Sequence, residues 1–310
     1  MIQASNIIRK YGDFAAVNDI SFTVKKGEIV GLLGHNGAGK TTIMKMLTGY
    51  LEPTGGTIKI DGLSISENRS LVQKKIGYLP ENCPVYPEMT ILGYLDFAAS
   101  LRGIKKADRE PLIIEAVRRT ALKEKATAPI ATLSRGYRQR TGVAQAILHK
   151  PEILILDEPT NGLDPTQIQQ MRSLITELAK NSTVIISTHI LQEVQAICDR
   201  VIIVKNGKIA LDSPFGELNK SSRLLIRVGA HQDDVEPLVT TITGVKSVAV
   251  HKNDSVSGPG ATFALTLESN GDRDATTAEL ARTVNDQGWD LYSMHFEARN
   301  LETVFAEISE

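Results

Sequence analysis

Residues 34–41 read Gly34-His35-Asn36-Gly37-Ala38-Gly39-Lys40-Thr41, the spacing G-x-x-x-x-G-K-[ST] of a phosphate-binding loop. The glycines let backbone N–H groups turn inward around the β- and γ-phosphates with no Cβ in the way. Lys40 supplies a point charge, and the Thr41 hydroxyl can ligate Mg²⁺. The flanks agree with that reading. Glu28-Ile29-Val30-Gly31-Leu32-Leu33 is a buried-strand pattern running into the loop. Thr42-Ile43-Met44-Lys45-Met46-Leu47 continues as a helix whose N-terminus faces the anion. A glycine turn with no ligand would share the eight-residue pattern, so its neighbours have to decide.

Two further apolar runs, Ile153-Leu154-Ile155-Leu156 and Val184-Ile185-Ile186-Ser187, are what buried parallel strands look like. The first ends in Asp157-Glu158. A strand-end carboxylate beside a phosphate loop can hold Mg²⁺ through water, the role expected of Asp157, while Glu158 would aim at an attacking water. The bland alternative is that both acids cap the next helix. Shorter alternating strands are expected at Met1–Ala4, Ile20–Val24 and Thr57–Ile60, and helices over 90–103 and 108–120. Strands alternating with helices around a phosphate loop predict an α/β core.

The net charge of −1 over 310 residues conceals an asymmetry. Residues 221–310 hold 7 Lys+Arg against 14 Asp+Glu, leaving 28 against 22 in residues 1–220. Composition therefore breaks near Asn219-Lys220-Ser221-Ser222, giving domains 1–220 and 221–310. Beyond the break the pattern is βαββαβ, which suggests a small α+β, ferredoxin-like sandwich. Its strands are expected at Leu224–Val228, Val245–Val250, Thr262–Leu267 and Trp289–His295. Its helices are expected at 233–242, 274–286 and Asn300–Ile308. The 42% hydrophobic and 23% charged composition is ordinary for a globular chain. No apolar run reaches the ~20 residues that span a bilayer, so a cytoplasmic protein is expected. Cys83 and Cys198 form no framework and no metal spacing. No clustered basic face suggests nucleic acid.

Leu133-Ser134-Arg135-Gly136-Tyr137-Arg138-Gln139-Arg140 precedes the Asp-Glu strand. Pro159-Thr160-Asn161-Gly162-Leu163-Asp164 follows it, and Ser187-Thr188-His189 comes later. With the phosphate loop, this order resembles the ATP-binding cassette (ABC) ATPases, the nucleotide-binding subunits of ABC transporters, over residues 1 to about 220. The resemblance implies an α/β P-loop domain with a helical signature subdomain at about 85–150. It implies ATP and Mg²⁺ as ligands. Tyr11 matches the aromatic that stacks on adenine. Gly34, His35, Asn36, Gly37, Ala38, Gly39, Lys40, Thr41 and Thr42 would hold the phosphates. Thr41, Glu81 and Asp157 would hold the metal. Glu158, His189 and Lys40 would act in hydrolysis. Ser134 and Gly136 would bind the γ-phosphate held by an opposite subunit, and Asp164 matches the loop that crosses the dimer interface.

Under that resemblance one chain cannot complete a site alone, so a second copy or a related cassette is an expected partner. An integral-membrane permease is the other, placing the chain on the inner face of the cell membrane. The contact is expected between Glu81 and Arg135, at Tyr86, Met89, Tyr94, Phe97 and Leu101, although ordinary helical core would give the same spacing. The segments Pro80-Glu81-Asn82 and Asn300-Leu301-Glu302-Thr303-Val304-Phe305 look like those of the gliding-motility and multidrug-type exporter ATPases. A soluble ABC ATPase acting on ribosomes or nucleic acid is the competing reading; such proteins usually carry two cassettes or a long coiled coil, and this chain shows neither. A non-hydrolysing regulatory module is disfavoured by Lys40, Asp157, Glu158 and His189 together.

The sequence departs from the family pattern twice. Arg135 and Tyr137 stand where a second Gly and a Gln are usual, and Glu81 stands where Gln is usual. A carboxylate ligates Mg²⁺ at least as well as an amide oxygen but cannot donate when ionised. Glu81→Gln should therefore leave the ATPase rate within about tenfold, or ~1.4 kcal/mol of barrier. Complete loss of turnover in a steady-state phosphate-release assay would instead make the acid essential.

Overall fold

A computed structural model describes residues 1–218, 223–251, 260–268, 272–297 and 301–309. The chain divides into two units, Met1–Phe215 together with Phe305–Glu310, and Gly216–Val304. Residues 219–222, where composition breaks, lie outside the described residues, as does Asn300.

The first unit opens with β1 (Ile2–Tyr11) and β2 (Phe14–Val24), which run antiparallel. Both are longer than the alternation in the sequence suggests. The β1–β2 register shifts between Ala4 and Ile7 and again up to Lys10, and each bulge moves the following side chains to the other face. Period 2 is lost while pairing continues. After β3 (Ile29–Leu33) and α1 (Lys40–Leu47) come β4 (Gly55–Ile60) and the short β5 (Leu63–Ser64). These complete a sheet of order β2-β1-β4-β5.

The remaining elements of this unit are α2 (Arg69–Lys75), β6 (Ile76–Leu79), α3 (Ile91–Leu101), α4 (Lys106–Arg119), α5 (Arg135–Ile147), β7 (Ile153–Asp157), α6 (Pro165–Ala179), β8 (Thr183–Thr188), α7 (Leu191–Ile197), β9 (Arg200–Lys205), β10 (Lys208–Pro214) and α8 (Phe215–Leu218), the last reaching into the second unit. A six-stranded sheet of order β10-β9-β3-β8-β7-β6 forms the centre, parallel except for β10. The β9–β10 hairpin, which the sequence reading left unassigned, turns at Asn206 and Gly207, both at positive φ (51° and 72°). Asn-Gly is the pair that such a turn favours.

This sheet is covered on both faces. Ile153 and Ile155 of β7 face a core shared with β1, β2 and α1, while Leu154 and Leu156 face a second core made with α3 to α6. A strand whose every residue meets apolar neighbours reads as an unbroken hydrophobic run, which is why these strands were visible in the sequence. Each fully buried Ile or Leu contributes roughly 1.5–3 kcal/mol.

The helical layer corrects one expectation. Tyr94 is only 4% exposed and sits in the core, its hydroxyl donating to the Pro84 carbonyl at 3.2 Å. Met89 packs against the same core. Tyr94 presents no docking surface, Met89 is half-buried, and Tyr86 and Leu101 are exposed. The helical spacing reported burial for Tyr94 and could not tell it from a surface stripe.

The second unit contains β11 (Arg223–Val228), α9 (Gln232–Val239), β12 (Val245–Val250), β13 (Ala261–Leu267), α10 (Arg273–Asp286) and β14 (Leu291–Phe296), with α11 (Leu301–Ser309) following. The βαββαβ order is present. Its antiparallel sheet, β12-β13-β11-β14, has the split βαβ arrangement, and Phe263, Leu265 and Ile226 pack beneath Val235, Val239, Leu280 and Val284 of the two helices.

A cleft of 430 Å³ in the first unit is lined by Tyr50, Lys74, Tyr78, Leu101, Arg102 and His149, among others. Arg102 donates to the carbonyls of Gln73 (3.2 Å) and Ile76 (3.3 Å) and lies 2.9 Å from His149 Nε2, while His149 Nδ1 is buried without a partner. Burial, aided by the Arg102 charge, pushes the His149 imidazole down from 6.5 to about 4. The unfolded chain takes up this proton near 6.5 and the folded chain only near 4. Between those values the unfolded state binds more protons, so this residue lowers stability as pH falls through that window. His149→Gln should flatten the loss of urea midpoint between pH 7 and about pH 4.5 relative to the parent chain.

Candidate functional site

β3 delivers the chain into the phosphate loop from a fully buried strand. Two backbone features explain its glycines. A Cβ at Gly34 would lie 2.4 Å from the Val204 carbonyl oxygen, and Gly39 holds φ 111° with the Ala16 carbonyl 2.6 Å from where its Cβ would be. Gly39 then caps α1 without any side-chain acceptor, leaving the first-turn N–H groups available to an anion.

Lys40 is buried at the start of that helix. Its Nζ donates to the carbonyls of Gly34 (2.7 Å) and His35 (3.2 Å) and pairs with Glu158 Oε1 at 3.4 Å. The other Glu158 oxygen lies 2.9 Å from His189 Nδ1. An ionised carboxylate only accepts, so this nitrogen donates. Glu158 itself sits at φ 50°, a region a non-glycine residue adopts at a cost. Its N–H is fixed by the Ser187 carbonyl (3.1 Å) and by Ser187 Oγ (3.1 Å).

Asp157, the last residue of β7, accepts from Ser187 Oγ and, at 3.4 Å, from Thr41 Oγ1. Burial raises its carboxyl above the usual range against the pull of those two hydroxyls. The other oxygen, Oδ2, is buried with no partner. An orphaned carboxylate oxygen beside a threonine hydroxyl suits a hard divalent cation that keeps most of its ligands as water or phosphate oxygen. No group of three or more His, Cys, Asp or Glu side chains with metal-binding geometry occurs among the described residues.

Asp157 lines a cleft of 450 Å³ that also includes Thr41 and Glu81. Lys40, Thr41, Glu158 and His189 share another, of 640 Å³, also lined by Tyr11, Phe14, Ala16, Asn36, Gly37, Gly39, Thr42, Glu81 and Asn161. Tyr11 is half exposed, with the Arg9 guanidinium 4.9 Å above its ring. Phe14, Ala16 and Asn161 also line it, though the sequence reading did not single them out. Ala38 is buried under the loop and its carbonyl accepts from Gly207 N–H at 3.0 Å. His35 turns elsewhere: its ring packs 4.9 Å from Phe305, while its backbone carbonyl serves Lys40.

Ser134, Gly136 and Asp164 do not reach this cleft. Gly136 and Asp164 line another one, of 730 Å³, with Tyr137, Arg140 and Gln167. The Ser134 hydroxyl accepts from Tyr137 N–H (3.4 Å) at the start of α5, and Asp164 Oδ1 accepts from Gln167 N–H (2.9 Å) at the start of α6. Both are helix caps in this chain.

The family model of ABC transporters matches residues 17–161. An uncharacterized ABC transporter ATP-binding protein of Bacillus subtilis, YxlF, is 38% identical over 82% of this chain and 84% of its own length. The bacitracin transport ATP-binding protein BcrA of Bacillus licheniformis is 40% identical over 72% of each chain. A solved ATP-binding subunit of an ABC transporter superposes with TM-score 0.64 at 29% identity, over 71% of this chain and 92% of that one. The phosphate loop, the strand-end acids and these likenesses agree: the chain belongs to the ATP-binding proteins of ABC transporters and is an ATPase of that family.

Proposed function

We propose that the chain couples ATP-driven closure of a cassette pair to a separate membrane permease, in the direction of export. The observation that carries the catalytic part is Glu158, held between Lys40 and His189 on the floor of the phosphate-loop cleft. Lys40 now rests on two loop carbonyls and Glu158; an incoming triphosphate offers it stronger acceptors and releases the carboxylate toward water. Glu158 acts as the base that orients and deprotonates the attacking water. His189 holds Glu158 by one nitrogen and offers the other to the reacting phosphate. Mg²⁺, when bound, neutralises phosphate charge; Thr41, Asp157 and Glu81 are the residues that would hold it.

The distribution of the remaining residues supports a two-chain site. Gly136 and Asp164 line a cleft separate from that of Lys40, and the first turn of α5 after Ser134 is an anion-favouring position. A second copy would bring that turn to the first copy's phosphates, with two sites formed by one symmetric association. The cleft of Tyr50, Tyr78, Leu101, Arg102 and His149, with exposed Tyr86, is where a cytoplasmic helix of the permease would seat. No helix of the described residues is long and apolar enough to cross a membrane. Export is favoured by the bacitracin transport protein among the relatives.

Two measurements test this. Glu158→Gln should lower phosphate release more than about 100-fold while leaving ATP binding intact, and ATP should convert the variant to a stable dimer by light scattering. Wild-type turnover in that variant would place the base elsewhere. Mild cross-linking of the tagged chain in its own cell should recover a multi-span protein from membranes; ribosomal or DNA-bound partners in the soluble fraction alone would overturn the transport reading.

A further inference from the structure

β7 and β8 pair in parallel up to Asp157 and Ser187. Beyond that point each strand enters a loop, and each loop carries one half of the Glu158–His189 contact. The connection between the loops comes from a residue to which neither the sequence pattern nor the mechanism above gives a role. Glu193, in the first turn of α7, is 3% exposed. One of its oxygens accepts from Thr160 Oγ1, two residues after Glu158. The other accepts from Thr188 Oγ1 at 2.7 Å, one residue before His189. Thr188 Oγ1 in turn accepts from the Ile190 N–H at 3.1 Å, closing the turn around His189.

A carboxylate buried on two hydroxyls is an expensive way to hold a turn, since burial of a charge is unfavourable unless charge-assisted hydrogen bonds replace its hydration. Helix-dipole stabilisation would be met as well by an exposed acid in the same turn. No cation lies within ion-pair distance of Glu193 among the described residues. Arg172, on α6, lines the same small cavity as Thr160, Thr188 and Glu193, and its Nε is buried without a hydrogen-bond partner. The carboxylate thus serves geometry between two loops.

We propose that Glu193 is a positioning residue for ATP hydrolysis, setting the Glu158 loop against the His189 loop so that their contact forms. This rests on the roles assigned above to Glu158 and His189. Glu193 touches no reacting atom and acts through Thr160 and Thr188. Its effect therefore belongs to turnover rather than to nucleotide binding, because Lys40 and the loop amides that bind phosphate are held by β3, α1 and β9.

The test is a kinetic series on the full chain with Mg-ATP. Glu193→Gln, which keeps size and shape, should lower kcat about 10- to 50-fold with KM and ATP affinity changed less than about twofold. Thr160→Val combined with Thr188→Val, which leaves Glu193 in place and removes both ties, should reproduce that split if the Gln variant folds poorly. In a His189→Ala background, Glu193→Gln should cost less than about twofold further, since residues acting as a unit are not additive. An unchanged kcat in Glu193→Gln overturns the proposal. So does a full second loss in the His189→Ala background, or a parallel fall of ATP affinity and thermal stability, which marks a residue that merely supports the fold. Wild-type turnover in Glu158→Gln and His189→Ala would overturn the underlying reading of the site, and that result is distinct from the others.

Discussion

The Lys40–Glu158 pair is the constraint around which the rest of the cleft is arranged. Two opposite charges, both nearly removed from water, are costly unless every remaining donor and acceptor is engaged. Here the ammonium also serves two loop carbonyls, and the second carboxylate oxygen is taken by His189. The strained backbone of Glu158 is held by both hydrogen-bonding groups of Ser187. The pair therefore joins three consecutive segments of the central sheet: the loop after β3, the end of β7 and the end of β8. Because the sheet order places β3 beside β8 and β8 beside β7, these ends fall side by side, at the position where parallel α/β sheets bind ligands.

The same arrangement explains how charge is managed near the nucleotide. Asp157 is raised by burial while its partner hydroxyls pull the other way, so the acid keeps an uncommitted oxygen in a dry place. Glu158, one residue on, is already neutralised by Lys40. Neighbouring carboxylates thus meet different environments: one keeps a buried oxygen without a partner, the other is paired with Lys40 and His189. The end of the strand produces this division: β7 stops at Asp157, and Glu158 leaves the extended backbone at φ 50°.

Much of this was legible in the sequence. The phosphate loop was, because glycine spacing and a buried strand are local signals. The inner strands were, because both faces of the central sheet are covered and Ile153 through Leu156 give an unbroken apolar run. The outer sheet was only half legible, since the bulges in β1 erase its alternation. Tyr94 was misread because a helical stripe toward a core resembles a stripe toward a partner. His35 was expected at the phosphates with its neighbours; its carbonyl accepts from Lys40, while its ring meets Phe305 from far along the chain. Glu193 had no signal, because its two threonines lie 33 and 5 residues away and no spacing rule joins them.

The C-terminal segment carries a consequence for how the chain is made. Phe305–Glu310 is assigned with the first unit, where Phe305 covers His35 and the Ile308 carbonyl accepts from Lys205 Nζ. The nucleotide-binding unit is therefore discontinuous in sequence. During vectorial synthesis the phosphate loop emerges early but stays without its aromatic cover until residues 216–304 have also been translated. A half-made chain therefore meets nucleotide with that loop in a different packing environment from the full-length chain.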